Sequence, residues 1–291
     1  MNYYFISVIY NSRLEDSVAV INLLKNRKNS YKIIVIDNRT DGKTFENAKF
    51  AKENSIVYIC KNMNLGLSKA TNLALEYLRT LDINDSDIVT TVDDDTAISQ
   101  QYLQLLEKES QKYLDVDIFA PFMQGQNGVY YSPAKQGYFK NFDVRSINQI
   151  IPQRKFYAIF SCCSSRWRVL KNYRFDEDIF VDYIDHNYCY DQRQKGRKFK
   201  QIKVVIQQNF ALKNKGISRE KMQARIQILI NDWLAYCWNR PIRLAGYIPY
   251  WVVRGAMYSI KVSSLKLWLW TIKTAFATMI KSLWSINKNN E

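Results

Sequence analysis

The sequence predicts an α/β fold, in which a parallel β-sheet is covered by helices and is followed by a helical, amphipathic C-terminal extension. Strand patterns and helix patterns alternate with short loops over the first hundred residues, and this order produces a parallel sheet flanked by helices. The chain has 291 residues, of which 47% are hydrophobic. It can therefore bury a full core, either as one large domain or as one domain with an appendage.

The individual elements follow from the spacing of apolar residues. Apolar, β-branched runs predict buried strands, and apolar residues at helical spacing predict helices. The predicted strands cover residues 5–10, 31–36, 55–59, 88–92 and 116–121. The predicted helices cover residues 14–24, 45–52, 70–81, 100–113 and 219–236.

Two segments interrupt this alternation. Residues 122–151 contain Gly125, Gly128 and Gly137, and a segment so rich in breaking residues predicts a loop. Residues 158–165 are apolar and rich in small side chains. They fit either an interior strand or a backbone surface that is presented to a ligand.

Carboxylates follow two of the predicted strands. Asp93, Asp94 and Asp95 end the fourth strand, and Asp37 ends the second. In open α/β sheets, ligands bind beyond the carboxyl ends of the strands, so these acids predict a site there. Three adjacent carboxylates repel one another and need water, a partner cation or a metal ion. Taken alone, the triplet would also fit a solvated turn.

A second acidic cluster covers residues 176–185. If a helix begins at Val181, Asp182 and Asp185 lie on one face of it, because they are three residues apart. Asp182 would also serve as a helix cap. Asp185, one turn deeper, is the stronger candidate for chemistry.

Several classes of protein are excluded by composition and motif. The chain has neither GxGxxG nor GxxxxGK[ST], which argues against ordinary dehydrogenases and P-loop proteins. Its five cysteines lack a CxxC spacing and it has one histidine, so neither a disulfide framework nor a zinc site is expected, and a reducing cytosol fits best. The N-terminus runs directly into a strand, so no secretory signal is expected.

The positive charge is concentrated at one end of the chain. Residues 1–191 hold 23 Lys/Arg and 24 Asp/Glu, a net charge of −1, whereas residues 192–291 hold 19 and 3, a net charge of +16. Such a segment predicts a polyanionic partner, either an anionic membrane or nucleic acid. Because no nucleic-acid-binding motif accompanies the charge, nucleic acid is the poorer choice.

The aromatic content of this basic segment favours a membrane surface. Residues 251–284 place large apolar side chains on one helical face, and five of the seven tryptophans follow residue 237 among lysines and arginines. This combination is typical of helices that lie in the interface of an anionic bilayer. Its uncharged stretches are too short to span one. A helix that packs on its own domain or on a second subunit, as in a homo-oligomer, is the alternative.

The order of five sequence pieces resembles the inverting family 2 glycosyltransferases of the GT-A fold, especially bacterial rhamnosyltransferase-like and galactofuranosyltransferase-like members. The pieces are residues 7–11, 34–41, 64–72, 92–95 and 175–185. The resemblance runs from about residue 4 to about residue 205. It implies a glycosyltransferase domain over residues 1–205, and the charge and aromatic pattern described above predicts a membrane-association segment over residues 206–291.

The resemblance also implies a site for a nucleotide sugar and a divalent cation. It implies that Asp95 and Asp93 hold Mn²⁺ or Mg²⁺, which suit oxygen ligands, and that the ion stabilises the departing diphosphate. It assigns nucleotide-sugar binding to the following residues: Tyr10, Asp37, Asn64, Gly66, Lys69, Asp93 and Asp94.

On the acceptor side, the resemblance aligns Asp185 with the general base of an inverting transfer, which takes a proton from the attacking hydroxyl. Asp182 is expected to bind the acceptor or to orient the base. Trp167 is expected either to stack on an acceptor sugar or to pack in the core. Two departures from the family pattern bear on the site: His186 and Asn187 stand where many relatives have a second acid, and residues 204–209 lack the metal-ligating histidine. Either water or an amide oxygen would then complete the metal site, or the site would bind the metal weakly.

These expectations combine into a functional hypothesis. The chain is expected to be a peripheral enzyme on the cytoplasmic face of the cell membrane. It would transfer a sugar from dTDP-rhamnose, a UDP-hexose or UDP-galactofuranose to a lipid-linked glycan acceptor in bacterial cell-surface polysaccharide synthesis. The alternative is a membrane-tethered nucleotide-sugar-binding protein without transferase activity.

Overall fold

The structure is a computed structural model that describes residues 1–40, 46–208 and 218–289, with the side chains of residues 285–289 excluded. The chain divides into two compact units. The sheet unit contains residues 1–177 and 184–210, and the helical unit contains residues 178–183 and 211–291. The short segment 178–183 therefore belongs to the helical unit, which the predicted division at residue 205 does not foresee.

The sheet unit is built on parallel strands in the order β3-β2-β1-β4. β1 pairs in parallel with both β2 and β4, and β2 pairs in parallel with β3. The bounds are β1 Tyr3–Ile9, β2 Tyr31–Asp37, β3 Val57–Cys60 and β4 Ile88–Asp93. These four strands confirm the predicted parallel sheet.

The register of these strands brings the strand-end acids to one edge of the sheet. Ile9 lies opposite Asp37, and Val8 lies opposite Asp93. Because parallel strands end on the same side, the two carboxylates flank the end of β1.

Helices cover both faces of these strands. Phe5 and Val35 belong to a core cluster with Leu23 and Leu106, and Ile34, which points to the other face, is also fully buried. The helices of this unit are α1 Val18–Lys25, α2 Asn47–Glu53, α3 Gly66–Arg79, α4 Gln100–Lys112, α5 Trp167–Leu170 and α6 Ile184–Gln194. α6 begins at Ile184, so the expectation of a helix from Val181, with Asp182 on its face, is wrong.

The second half of the sheet is largely antiparallel. β9 lies between β4 and β5 and runs antiparallel to both, while β10 pairs in parallel with β5. The bounds are β5 Ile118–Gln124, β6 Tyr130–Gln136, β7 Asn141–Val144, β8 Phe156–Tyr157, β9 Cys163–Arg166 and β10 Phe199–Gln207.

The prediction of a loop over residues 122–151 is wrong, because strands β6 and β7 lie within it. The glycines mark the turns between strands and do not disrupt the whole segment. Gly128 has a φ of +75°, and a Cβ at Gly137 would lie 2.5 Å from the backbone oxygen of Lys140. The turn between β6 and β7 thus requires glycine at residue 137.

The helical unit contains α7 Arg219–Cys237, α8 Pro241–Ala245, α9 Tyr247–Lys261 and α10 Leu265–Asn289. The expected single helical face over residues 251–284 is therefore split between two helices, with Ser263 at a φ of +50° between them. α9 and α10 approach closely at Gly255, where a Cβ would lie 3.1 Å from Cγ2 of Thr271. Glycine permits this close approach.

α10 turns its large apolar side chains outward. Leu267, Thr271 and Ala275 are fully buried, whereas Phe276 and Ile280 are 47% and 53% exposed. The face that the sequence marks as apolar is thus on the outside of this helix. Among the described residues, no helix combines the length and the apolar character that crossing a membrane requires.

Candidate active site

The aspartate triplet forms a turn that is tied to the loop after β1. The backbone oxygen of Asp94 accepts hydrogen bonds from the amide of Ala19 at 3.1 Å and from Oγ of Ser17 at 3.0 Å. The hydroxyl of Ser12 donates to Oδ2 of Asp94 at 3.5 Å. The turn after β4 is thereby fixed against the start of α1.

Three polar residues that the sequence did not identify hold the other side of this turn. Oγ of Ser161 accepts from the amide of Asp93 at 3.0 Å and shares a hydrogen bond of 2.7 Å with the hydroxyl of Thr96. The side chain of Gln208 donates to Oδ1 of Asp95 at 3.1 Å and accepts from Thr96 at 2.9 Å. Ser161 lies in the small-residue segment 158–165, and Gln208 follows the end of β10, where the strand-end rule could have found it.

Burial raises the pKa values of all three carboxylates in the triplet. Burial, followed by the charges of Asp95, Asp94 and Asp185 in that order, raises the pKa of Asp93 to about 7. Burial followed by the charge of Asp95 raises the pKa of Asp94, and burial raises that of Asp95. Such a cluster favours a bound proton or cation, and Asp185 makes the smallest of the charge contributions at Asp93.

Asp37 is buried and fixed at the end of β2. Its Oδ1 accepts from the amide of Arg39 at 2.9 Å, and its Oδ2 accepts from Asn47 at 2.9 Å and from the hydroxyl of Tyr58 at 2.5 Å. The pKa of Tyr58 is raised by burial and by this bond to the carboxylate. The strand-end acid therefore has a fixed orientation.

The predicted nucleotide-binding loop lies against the same end of β2. Asn38 donates to the backbone oxygen of Gly66 at 3.1 Å, and the side chain of Asn64 accepts from the amide of Gly66 at 3.0 Å. Gly66 opens α3 with a φ of +74°. Lys69 and Tyr10 are exposed, the latter in the loop that follows β1. The sheet edge thus carries both the acids and this loop.

Asp185 lies in the first turn of α6, and hydrogen bonds hold its carboxylate on both oxygens. Tyr157 donates to Oδ2 at 2.5 Å, and the amide of His186 donates to Oδ1 at 2.7 Å. The ring of His186 lies 4.4 Å from that of Tyr157, and its Nδ1 hydrogen-bonds with Gln136 at 2.9 Å. The carboxylate is partly exposed, so the geometry leaves it oriented and accessible.

Two of the predicted acceptor residues have other environments. Asp182 belongs to the helical unit and forms an ion pair of 2.5 Å with Arg225. Its amide, like those of Phe180 and Val181, donates to the buried carboxylate of Asp232, at 2.7 to 2.9 Å. Trp167 is 5% exposed, which favours packing over stacking on a sugar.

The donors at the sheet edge fit a hard divalent cation. Within the residues that the structure describes, no three His, Cys, Asp or Glu side chains are grouped as a metal site. Asp93 and Asp95 nevertheless supply hard carboxylate oxygens, whereas Gln208 turns its amide nitrogen to Asp95 and its oxygen to Thr96. A Mg²⁺ or Mn²⁺ ion that is held by one or two carboxylates usually completes its shell with water and substrate phosphates, so this donor set suits an ion that arrives with a diphosphate.

A parallel sheet that ends in these carboxylates, joined to a largely antiparallel half and to helix α6, which carries Asp185, defines a GT-A glycosyltransferase domain, as predicted from the sequence. The family described as Glycosyl transferase family 2 matches residues 4–175. Because this match covers more than half of the chain, the protein belongs to that family.

Among curated proteins, the dTDP-rhamnosyl transferase RfbF of Shigella flexneri is 26% identical over 196 residues, which are 65% of this chain and 62% of the relative. The chain thus matches less than two thirds of that protein's length.

Solved structures share the fold. The S. aureus protein TarS 1-349 in complex with UDP-GlcNAc has a TM-score of 0.54 and 16% identity, over 96% of this chain and 81% of that one. The mannosyltransferase PcManGT of Pyrobaculum calidifontis in complex with GDP-Man and Mn²⁺ has a TM-score of 0.53 and 13% identity, over 98% and 87%. At such identities the likeness concerns the fold alone.

Proposed function

We propose that this protein transfers a sugar with inversion from a nucleotide-sugar donor to a glycan acceptor in bacterial cell-surface polysaccharide synthesis. The charge of Asp185 contributes to the raised pKa of Asp93. The observation that carries the proposal is the oriented and partly exposed carboxylate of Asp185, in a chain whose parallel strands end in Asp37 and Asp93. This is the arrangement that an in-line displacement at a sugar carbon needs.

Asp185 acts as the general base. Its carboxylate accepts the proton of the acceptor hydroxyl as that oxygen bonds to the anomeric carbon, and the bond from that carbon to the diphosphate oxygen breaks on the opposite face. Tyr157 and the amide of His186 fix the direction of the carboxylate. Such positioning itself increases the reaction rate, because the reacting atoms are already oriented when the substrates bind.

Asp93 and Asp95 would hold Mn²⁺ or Mg²⁺, and Gln208 orients Asp95 by donating to its Oδ1. When bound, the cation supplies Lewis-acid stabilisation of the charge on the departing diphosphate. The complex of PcManGT with GDP-Man and Mn²⁺ supports this assignment. Asp94 would face the ribose and diphosphate.

The donor is bound at the edge of the parallel strands. Asp37 accepts from the nucleobase, and the loop with Asn64, Gly66 and Lys69 lines its pocket together with Tyr10. The similarity to RfbF supports dTDP-rhamnose, and the UDP-GlcNAc complex of TarS supports a UDP-hexose. The sequence resemblance also supports UDP-galactofuranose as a donor.

The acceptor is proposed to be lipid-linked, and the enzyme is proposed to be peripheral on the cytoplasmic face of the cell membrane. The net charge of +16 over residues 192–291 and the outward apolar face of α10 support this location. Asp182 remains a proposed acceptor residue, whereas the burial of Trp167 favours a packing role.

The experiment is a donor panel with and without Mn²⁺, in which hydrolysis and nucleotide release are measured. The proposal expects turnover of at least one donor, and it expects Asp185→Asn to lower that turnover about 10³-fold while donor affinity by calorimetry changes little. Asp115→Asn is the matched control, since it removes a carboxylate from an exposed ion pair with Lys198.

The alternative function, a membrane-tethered binding protein without transferase activity, predicts a different result. It expects a donor to bind with micromolar or better affinity and to remain intact with every acceptor and metal supplied. Equal turnover by Asp185→Asn and the wild type would reject Asp185 as the base.

A further inference from the structure

A groove between α7 and α10 is lined by basic, hydroxyl and amide side chains together with a tryptophan and an alanine. Its volume is about 260 Å³, and its lining includes Gln227, Trp270, Lys273, Thr274, Thr278 and Lys281. The α10 members recur at three- and four-residue spacing, so they share one face of the helix. Both helices belong to the helical unit.

The electrostatics of this groove favour an anion. The chain has no Asp or Glu from residue 233 to residue 290, whereas the same stretch holds eight Lys or Arg. Lys273 and Lys281 are exposed, and α10 carries no carboxylate that would neutralise them. Ammonium groups beside hydroxyl and amide donors are suited to the oxygens of a phosphate.

An exposed apolar stripe runs along the same helix beside the groove. The exposed fractions of Leu269, Phe276 and Ile280 are 57%, 47% and 53%. Leu269 and Ile280 are sequence neighbours of the groove residues Trp270 and Lys281, so the stripe lies about 100° around the helix from the groove. α10 has 25 residues and is therefore about 37 Å long. An element of this length can rest along a bilayer with its apolar stripe among the acyl chains.

We propose that the groove binds the phosphate headgroup of an anionic phospholipid while the apolar stripe of α10 lies in the same bilayer. The proposal rests on the peripheral location given under the proposed function and names the lipid chemistry that produces it. The charge pattern selects this occupant over a second copy of the chain. Two copies joined through this face would bring Lys273 and Lys281 close to their equivalents with no acid on either α10 to offset them.

The test is co-sedimentation of the full chain with phosphatidylcholine vesicles, with and without phosphatidylglycerol. The groove variant is Lys273→Gln with Lys281→Gln, and the matched control is Arg219→Gln with Lys221→Gln, which removes two charges from the exposed start of α7. A third variant, Leu269→Gln with Ile280→Gln, removes the stripe. Thermal unfolding checks that each variant folds.

The wild type is expected to bind only the vesicles that contain phosphatidylglycerol. The groove variant is expected to lose about 30-fold in affinity, from about 1 kcal/mol for each lysine at the surface, and the control less than threefold. The stripe variant is expected to lose binding to the same vesicles. Inorganic phosphate, added at constant ionic strength, tests for a free phosphate site. If it releases the wild type from the vesicles and does not release the groove variant, the groove is reassigned to free phosphate.

If the groove and control variants lost the same affinity for the vesicles, the effect would come from diffuse positive charge, and this result would overturn the headgroup site. Equal binding to both vesicle types by the wild type would also overturn it. Donor hydrolysis, measured on the same preparations, separates this outcome from failure of the transferase proposal, because the groove lies outside the sheet unit. A groove variant with wild-type hydrolysis and lost binding supports the inference.

Discussion

The sheet unit and the helical unit distribute charge and apolar surface in opposite ways. The sheet unit gathers Asp93, Asp94, Asp95 and Asp185 at one edge and supports them with hydroxyl and amide side chains. The helical unit exposes apolar side chains along α10 and has no acid from residue 233 to residue 290. Among the described residues of the helical unit, Asp232 is the fully buried acid, and it binds backbone amides. The acids of the sheet unit thus form the proposed site, whereas Asp232 holds part of the helical unit together.

The largest effect is expected from a change at the acidic edge. Asp95→Asn should lower transfer by about 10²–10³-fold and weaken the response to Mn²⁺, because it removes a carboxylate that would hold the cation. Thermal stability should stay equal or rise, since one of several mutually repelling charges is lost. Steady-state kinetics over a Mn²⁺ series, with Asp115→Asn as reference, measures this. If Asp95→Asn lowered thermal stability and left the response to Mn²⁺ unchanged, the proposed difference between the acids of the two units would be wrong.

The next effect concerns the buried acid of the helical unit. Asp232→Ala should destabilise that unit by about 3 kcal/mol, because three backbone amides of residues 180–182 lose their acceptor. Six of the seven tryptophans lie in the helical unit, so urea unfolding followed by tryptophan fluorescence reports it. Asn231→Ala, at an exposed neighbouring position, is the control and should change stability little. Unchanged unfolding of D232A would mean that these bonds contribute no stability.

The stability of the protein without metal should depend on pH through Asp93. Its folded pKa, about 7, lies above the ordinary value of 3.8, so the folded state holds the proton more tightly than the unfolded state. Stability is then highest at low pH and falls by about 2 kcal/mol as the pH rises from 5 to 7. Chemical denaturation in the presence of a chelator measures the slope, and Asp93→Asn should remove it. The same slope in D93N would assign the dependence to other groups.

The smallest effect is expected at a residue that acts through the base. Tyr157→Phe removes one hydrogen bond to Asp185 and keeps the buried ring, so kcat should fall about tenfold, which is the value of one charge-assisted hydrogen bond. KM for the donor should not change. Tyr190→Phe on α6 is the control. A matching rise in the donor KM would place Tyr157 in donor binding.

The sequence predicts those parts of the fold that depend on local patterns. The four parallel strands and the acids Asp37 and Asp93 at their ends follow from buried runs and from the geometry of parallel sheets. Strands β6 and β7 were not predicted, because their apolar alternation is weak and glycines lie at their turns. The roles of Ser161 and Gln208 depend on contacts with residues about 65 to 113 positions away, which no local pattern contains.

The orientation of α10 illustrates a different limit. Amphipathic spacing identifies two faces of a helix and does not say which of them packs inward. Here the smaller side chains Thr271 and Ala275 are buried, and Thr271 lies next to Gly255 of α9, because a close helix approach needs small groups. The large apolar face is left outside. The exposed face could be recognised only once the neighbouring helix was known.

The hold of Asp232 on residues 180–182 bears on how this protein can be divided or recombined. The segment 178–183 precedes α6, which carries Asp185, yet it belongs to the unit that is formed mainly by the last eighty residues. Exchange of that unit between relatives would have to include this six-residue segment, or three amides would lose their partner. The helical unit therefore cannot be exchanged without the segment that lies just before the proposed base.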